Sequence, residues 1–362
     1  MNSAIDPGTY ADLKILATAR ARELGLPTRT LEDWRYVDCA ALAAVHPIGD
    51  GKVGGSTADI LVVDGFFRSL PKEKILGPQP IAIDAIVDAG QIWALSDLGH
   101  AADLAMSGLG RTLTLHSHCT GGASGWYLRL VVAPGTTLEL DIEHHGDRPA
   151  RSSSWLALEL GRGASVRVRE PGTGHAQVRL ATLTARVEQD ARLEIVCSSS
   201  GGALLRSRIE IDLAGPGAEA DLAAIDVVAG KRQAHRVTRI IHRAPSTRSR
   251  QAIRAVLNDR ALASCDALIQ VLPGADGTDA DLQNRNLLLS HEARADTRPQ
   301  LDIRADDVKA AHGATIGQLD AEELGYLRCR GLDAGAARGL LVGAFVAEIL
   351  DRVGKPPAGS TP

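Results

Sequence analysis

Aromatic residues are scarce in this chain of 362: three Phe, four Tyr and four Trp, or 3%, against 44% hydrophobic residues overall. A core must therefore be built from Leu, Val, Ile and Ala, and a surface that stacks sugars on rings has little to work with. Long apolar runs are missing too. No stretch reaches the ~18 consecutive apolar residues of a membrane span. Residues 1–20 also lack the basic-then-apolar order of a secretory leader, so the expected location is cytoplasmic. Cysteine is sparse and odd in number: Cys39, Cys119, Cys197, Cys265 and Cys329 lie far apart, with no C-x-x-C pair. That fits free thiols in a reducing compartment better than a disulfide framework or a closed zinc site. Neither charge sign dominates. The formal net charge is -4 and the basic residues are scattered, which argues against nucleic acid or an anionic membrane as the main partner. Nucleotide chemistry is absent as well. Gly49-Asp-Gly-Lys52 lacks the lead-in and the following Ser/Thr of a P-loop, so the chain itself is not expected to hydrolyse ATP. It has no G-x-S-x-G and no H-E-x-x-H.

What remains is legible in segments. From about Thr9 to Leu24, Leu13, Leu16, Ala17, Ala21 and Leu24 recur at helical spacing, and Gly25 stops the run. Trp34 and Tyr36 follow in a stretch that reads as a short helix with its indole in the core. The region from Val53 to Leu104 mixes a strand at Ile60–Val63 with turns at Gly77, Pro78 and Pro80 and a helix, in no legible order. From about Arg111 to Ala305, short alternating runs recur, among them Thr137–Ile142, Ser165–Arg169, Arg192–Val196 and Arg208–Leu213. The turns before them carry alanines at 164, 191 and 218, spaced by 27 residues (191 − 164 and 218 − 191). A fixed period of this size predicts a solenoid, here mainly β: a right-handed parallel β-helix flanked by α-helical regions. The expected division is a mixed helical region 1–105, a β-helix core 106–317 and a helical region 318–362. The phase slips beyond residue 230, where 232–254 is unusually basic.

At the C-terminal end, Asp320-Ala-Glu-Glu323 is a capping box, and Gly331 closes the helix it starts. Asp333 can cap a second helix, with Ala337, Leu340, Leu341, Ala344, Phe345, Glu348, Ile349 and Val353 at helical spacing. Its apolar face can cover either a partner or the chain's own β body. Residues 355–362 read as a frayed end.

Three groups can carry chemistry. His116-Ser-His118 places two imidazoles on one face of a strand, but no third ligand stands at a recognisable spacing, so surface or core histidines are the plainer reading. His144 and His145 point to opposite strand faces. Cys197 and Cys265 are expected in a coil interior as small hydrophobes, with no visible activating neighbour. The densest cluster is Asp306, Asp307, Lys309 and His312, after an alternating strand from Arg298 and before the helices. It is either a capped turn or a site where a neutral imidazole ligates a metal such as iron.

Beyond these features, Asp281-Leu-Gln-Asn-Arg-Asn-Leu-Leu-Leu-Ser290, Pro299–Ile303, Ala305–Lys309, His312-Gly-Ala-Thr315 with Gly317, Tyr326–Gly331 and Ala337-Arg338 resemble the SufB/SufD family of the SUF iron–sulfur cluster assembly system. The resemblance is densest over about 230–350. Gly25–Arg29 and Glu32–Tyr36 are similar to the SufD branch. The resemblance implies a β-helix core and a non-enzymatic subunit that pairs with a SufB-like paralogue and docks a SufC-like ATPase, with a homodimer as an option in isolation. It implies no tightly bound cofactor, but a transient iron–sulfur cluster at the SufB interface formed by Asp306, Asp307, Lys309 and His312, with His312 as ligand. It says nothing of cluster type or of a flavin in the complex. SufC docking would fall on Glu323, Tyr326, Leu327, Arg330, Leu340 and Phe345. Two departures stand out: Ala310 where many members have cysteine, and Gly325 where an aromatic usually precedes Tyr-Leu. The rival readings are a β-helix interaction protein without a cluster role and an exported polysaccharide-acting β-helix protein.

Overall fold

Alternating apolar residues at two-residue spacing, cut by a tight turn every ten residues or so, produce one long coil of strands. The computed structural model describes residues 10–28, 30–39, 42, 58–71, 74–76, 92, 95–146, 150–172, 178–200 and 202–353. The Gly49–Lys52 string, the turns at Gly77, Pro78 and Pro80 and the tail from Lys355 lie outside these residues. The strands form two sheets. The first contains β1 (Ile60–Val63), β2 (Phe66–Ser69), β5 (Arg111–His118), β7 (Thr137–His145), β9 (Ser165–Glu170), β11 (Arg192–Ser199), β13 (Glu219–Val228), β15 (Arg248–Leu257), β17 (Thr278–Leu288) and β19 (Val308–Gln318). The second contains β3 (Lys74–Ile75), β4 (Leu98–Met106), β6 (Gly122–Val132), β8 (Ala150–Leu160), β10 (Val178–Val187), β12 (Leu204–Leu213), β14 (Gln233–His242), β16 (Leu262–Val271) and β18 (Arg294–Ile303).

From β4 onward the chain visits the sheets alternately, and each strand pairs in parallel with the one a full coil away. This is the expected parallel β-solenoid. Parallel pairing starts upstream of residue 106, since β1 pairs with β5 and β4 with β6. The stacking offset explains both the 27-residue period and its slip. Arg192 sits on Ser165 and Glu219 on Arg192, 27 residues apart in each case; Arg248 on Glu219 is 29, and Asp279 on Arg248 is 31. Later coils are longer by a few residues, absorbed at the turns, while strand register holds.

The predicted alanines form a buried corner column. Ala164, Ala191 and Ala218 are at most 1% exposed, and Thr136, Thr247 and Thr278 continue the column above and below. Each carbonyl accepts from the next coil, as in Arg192 N–H to Ala164 and Glu219 N–H to Ala191. Beside it runs a second column of left-handed residues: Gly135, Gly163, Asp190, Gly217, Ser246 and Gly277, all between +55° and +73° in φ. Their N–H groups donate to the turn of the following coil, for example Gly163 to Gln189 and Gly217 to Pro245.

Inward residues of both sheets, such as Leu128, Leu140, Val187, Leu193, Leu213 and Leu282, fill the interior. Leu, Val, Ile and Ala dominate it, as the shortage of aromatics requires. The flanks cover the outside. Helix α1 (Tyr10–Leu24) ends at Gly25, whose φ is +67°, and buries Ala17 with Leu95, Leu98, Tyr127 and Trp155. A short 3-10 turn at Glu32–Trp34 presses Trp34 onto Val178, Leu180 and Leu204, with the Arg206 guanidinium 4.1 Å above the ring. The neighbouring Asp33 accepts from Arg208 and Arg239 at 2.7 and 2.8 Å.

Helices α2 (Ala321–Cys329) and α3 (Ala334–Val353) follow β19 directly. Asp320 accepts from the N–H groups of Glu322 and Glu323, and the Asp333 carboxylate from Ala336 N–H at 2.7 Å, so both predicted caps form. Gly331, at φ +94°, closes α2. No described helix is long and apolar enough to cross a membrane.

Candidate functional site

Strands β18 and β19 are the last of their sheets, so each has a ladder neighbour on one side only. The backbone groups of the other edge face outward, a template for another strand. His312 lies opposite Leu282, an interior residue of β17, and therefore continues an interior column into the last coil. Among the described residues no further coil covers it, and it is exposed. Ile316, on the same strand, is 48% exposed.

The other predicted residues of this cluster share the rim but not the face. Asp306 and Asp307 form the turn between β18 and β19, where the Asp307 carbonyl accepts from Gly277 N–H at 2.6 Å and ends the corner column. Lys309 pairs with Asp279 on the outer face. The Asp279 carboxyl is held below its ordinary range by the Arg250 guanidinium first, with Arg248 and Lys309 adding to it. Part of the cluster is thus a turn, while His312 stands on the open mouth of the solenoid.

The predicted docking residues divide in two. Glu323 and Tyr326 are exposed on α2 and Arg330 is exposed just past its end, Leu327 is half-buried, and the Arg330 guanidinium lies over the Tyr326 ring. Leu340 is 54% exposed on α3. Phe345 instead turns toward the chain's own body. With Val342, Val346 and Ile349 it packs on Val196, Ala223, Ile225 and Val256 of β11, β13 and β15, and its carbonyl accepts from Arg254. Of the two covers open to the apolar face of α3, the β body takes that one; the apolar residues on the outer face of β11 to β15 are its counterpart.

The paired histidines acquire a third. On β5 the inward residues are Leu113, Leu115 and Ser117, which leaves His116 and His118 on the outer face. In register on β7, Glu143 stands opposite His116, and His145 opposite His118. One ring nitrogen from each of His116, His118 and His145 lies within 4.8 Å of the other two. Glu143 Oε2 is 3.7 Å from His116 Nε2 and 3.2 Å from His145 Nε2. The sequence signal was there. The 27-residue period read from the alanines, applied upstream, carries His118 to His145 and His116 to Glu143.

Residues 121–345 match the family model described as SUF system FeS cluster assembly, SufBD core domain. That is more than half of the chain. The chain belongs to the SufB/SufD family. Over 151 residues it is 35% identical to the iron–sulfur cluster assembly protein SufD of Escherichia coli, covering 42% of this chain and 36% of that protein. A SufBD family protein of Synechocystis sp. is 33% identical over 197 residues, 54% of this chain and 44% of its own length. One from Mycobacterium leprae is 32% identical over 189 residues, 49% and 48%. The matches thus span less than half of each of these relatives.

In this SufB/SufD family chain the interior also holds polar groups that sequence reasoning missed. Cys197 and Cys265 face inward as expected, both 4% exposed. Beside Cys197 lies Arg236, with Nη1 3.2 Å from Sγ and a two-pronged contact to Asp226 at 2.6 and 2.7 Å. Burial pushes the Cys197 thiol upward, against the pull of Arg236, and pushes Cys265 to about 12. Both stay protonated thiols near neutral pH. Burial works against the Arg236 charge, but the Asp226 carboxylate outweighs it and keeps the guanidinium protonated. Nearer the start of the solenoid, His144 Nε2 sits 3.1 Å from Glu170, which also meets Arg179. Burial, then the Arg179 charge, holds His144 well below its ordinary pKa. No sequence motif marks these groups, because each set draws on more than one strand: Asp226 and Arg236 stand on β13 and β14 and Cys197 on the preceding coil, as His144 does relative to Glu170 and Arg179.

Proposed function

We propose that this chain is a SufD-like scaffold subunit in iron–sulfur cluster assembly. In this reading it pairs with a SufB paralogue through the open end of its solenoid and docks a SufC-like ATPase on α2 and the exposed residues of α3. The observation that carries the reading is the last coil: His312 stands exposed on a strand whose outer edge can accept another strand. A neutral imidazole there can ligate iron delivered as cargo, opposite a thiolate supplied by the SufB-like partner. ATP turnover belongs to the SufC-like partner, and this chain contributes geometry.

The covalent path suggests how turnover reaches the rim. Helix α2 starts within three residues of the end of β19, so displacement of the docked helices acts on the strand that bears His312. ATP-driven pairing of two SufC-like subunits would shift the end coil, provided docking is tighter in one nucleotide state. Crosslinks across the SufB–SufD interface should differ with and without ATP, and identical patterns would remove this coupling.

The whole reading is tested by anaerobic co-expression with the SufB-like and SufC-like proteins of the same organism, followed by mass determination. A stable ternary particle is expected. His312→Ala should leave that mass unchanged while iron and sulfide incorporation falls at least tenfold. A lone monomer or homodimer, with both partners soluble and folded, would overturn the reading.

A further inference from the structure

We infer that His116, His118, His145 and Glu143 form a binding site for a divalent transition-metal ion of the zinc type. Four features of the fold carry the inference, and none involves the rim that bears His312.

The first is placement. Strand alternation puts all four side chains on the outer face, and parallel register brings two from β5 against two from β7. The second is proximity. Three imidazole nitrogens within 4.8 Å of one another need to close to about 3.3–3.4 Å to share an ion with metal–nitrogen bonds of ~2.0–2.1 Å. That closure, at most about 1.5 Å, lies within the reach of side-chain torsions. The third is the donor set. Three neutral imidazoles and one carboxylate suit zinc and its neighbours in the first transition row. Glu143 already stands next to two of the rings and would complete four-fold coordination. The fourth is environment. His116 and His145 side chains are 22% and 37% exposed, and Glu143 44%, which leaves an entry path while the sheet shields the far side. Among the described residues this is the one place where three such metal-ligating groups converge. The three rings pack on one another, His118 and His145 stacked with centroids 4.5 Å apart, away from the apolar outer-face cluster that α3 covers on β11 to β15. An ion here would tie two successive coils together across a 27-residue step.

The test uses the full-length chain, stripped of metal and titrated with zinc chloride against a chromophoric chelator. One equivalent retained through desalting is expected, with the unfolding temperature raised by several degrees when zinc exceeds its Kd a hundredfold. Cobalt loaded in its place should give the intense visible absorption of a tetrahedral ion. The double variant His116→Gln/His145→Gln should lose the retained equivalent and the zinc-dependent shift, while its metal-free unfolding temperature stays near that of the parent. Glu143→Gln should weaken binding tenfold or more. Absence of saturable zinc binding, equal retention by the double variant, or an octahedral cobalt spectrum would each overturn the site. If the double variant does not fold, His116→Gln alone, which changes a part-exposed side chain, is titrated in the same way and must bind at least tenfold more weakly.

Discussion

His242 and His235 are the same residue type as His312 but are buried, and burial decides their charge. His242 faces inward, its ring nitrogens 2.8 and 2.9 Å from the hydroxyls of Thr247 and Ser249; burial lowers its pKa to about 4. His235, outside the sheet and under the N-terminal segment, contacts Ser264 and Gln233; burial and then the Arg206 charge lower it to about 3. Both are neutral in the folded chain at pH 7. As pH falls below about 6.5, the unfolded chain takes up protons that these rings refuse until about 4 and about 3. Stability is therefore complete above the unfolded pKa and is lost through that window, by on the order of a few kcal/mol in total. Denaturant unfolding between pH 7 and 4 should show this fall, and His242→Gln should flatten it; an unchanged slope would contradict the assignment. Asp226→Asn probes the neighbouring interior. It leaves the Arg236 guanidinium buried without its countercharge, so a loss of about 3–5 kcal/mol is expected in the same measurement. A loss below about 1 kcal/mol would mean that water reaches Arg236.

At the scale of the element, the corner column is the unit that repeats. Asp190 and Ser246 occupy left-handed backbone at φ of +55° and +58°, in positions that Gly163, Gly217 and Gly277 fill in other coils. A side chain there costs about 1–2 kcal/mol relative to glycine. Ser246→Gly is thus expected to stabilise by up to about 1 kcal/mol, since the added freedom of the unfolded chain offsets part of the gain. Gly217→Ala should destabilise by about 1 kcal/mol or more: its φ is +71°, and an added Cβ would come within 2.7 Å of the Asp190 carboxylate. Equal unfolding midpoints for the two variants would show that the corner is not under this constraint. The helices follow a similar local logic. The caps at Asp320 and Asp333 act through N–H groups two or three residues away, and α3 stays down because one face is apolar.

For the whole molecule, the ends differ. The N-terminal coils carry α1, and β1 and β3 turn into antiparallel partners; the C-terminal coil ends open. An exposed, regular edge at micromolar concentration favours association through strand addition. The isolated chain is therefore expected to self-associate through β18 and β19. Ile316→Lys, on the exposed last strand, should shift sedimentation toward the monomer and weaken association with a SufB-like partner by tenfold or more. An unaffected oligomer would move the interface elsewhere.

What the sequence determined by itself lies within a few residues of chain: the alternation that makes strands, the turns that end them, the capping boxes, the Gly25 and Gly331 stops and the buried indole of Trp34. The 27-residue period added the solenoid, because stacking like coils puts like residues in contact. Only the tertiary structure decided which residues meet across coils. It brought His145 and Glu143 to His116 and His118, set the Arg236–Asp226 pair against Cys197, turned Phe345 inward, and separated Lys309 from His312 onto opposite faces of one strand. The physical reason is register. Local preferences act over single turns, whereas a partner one coil away is selected by hydrogen-bond ladders that fix the offset between strands 26–32 residues apart and by the inward or outward choice that each ladder imposes.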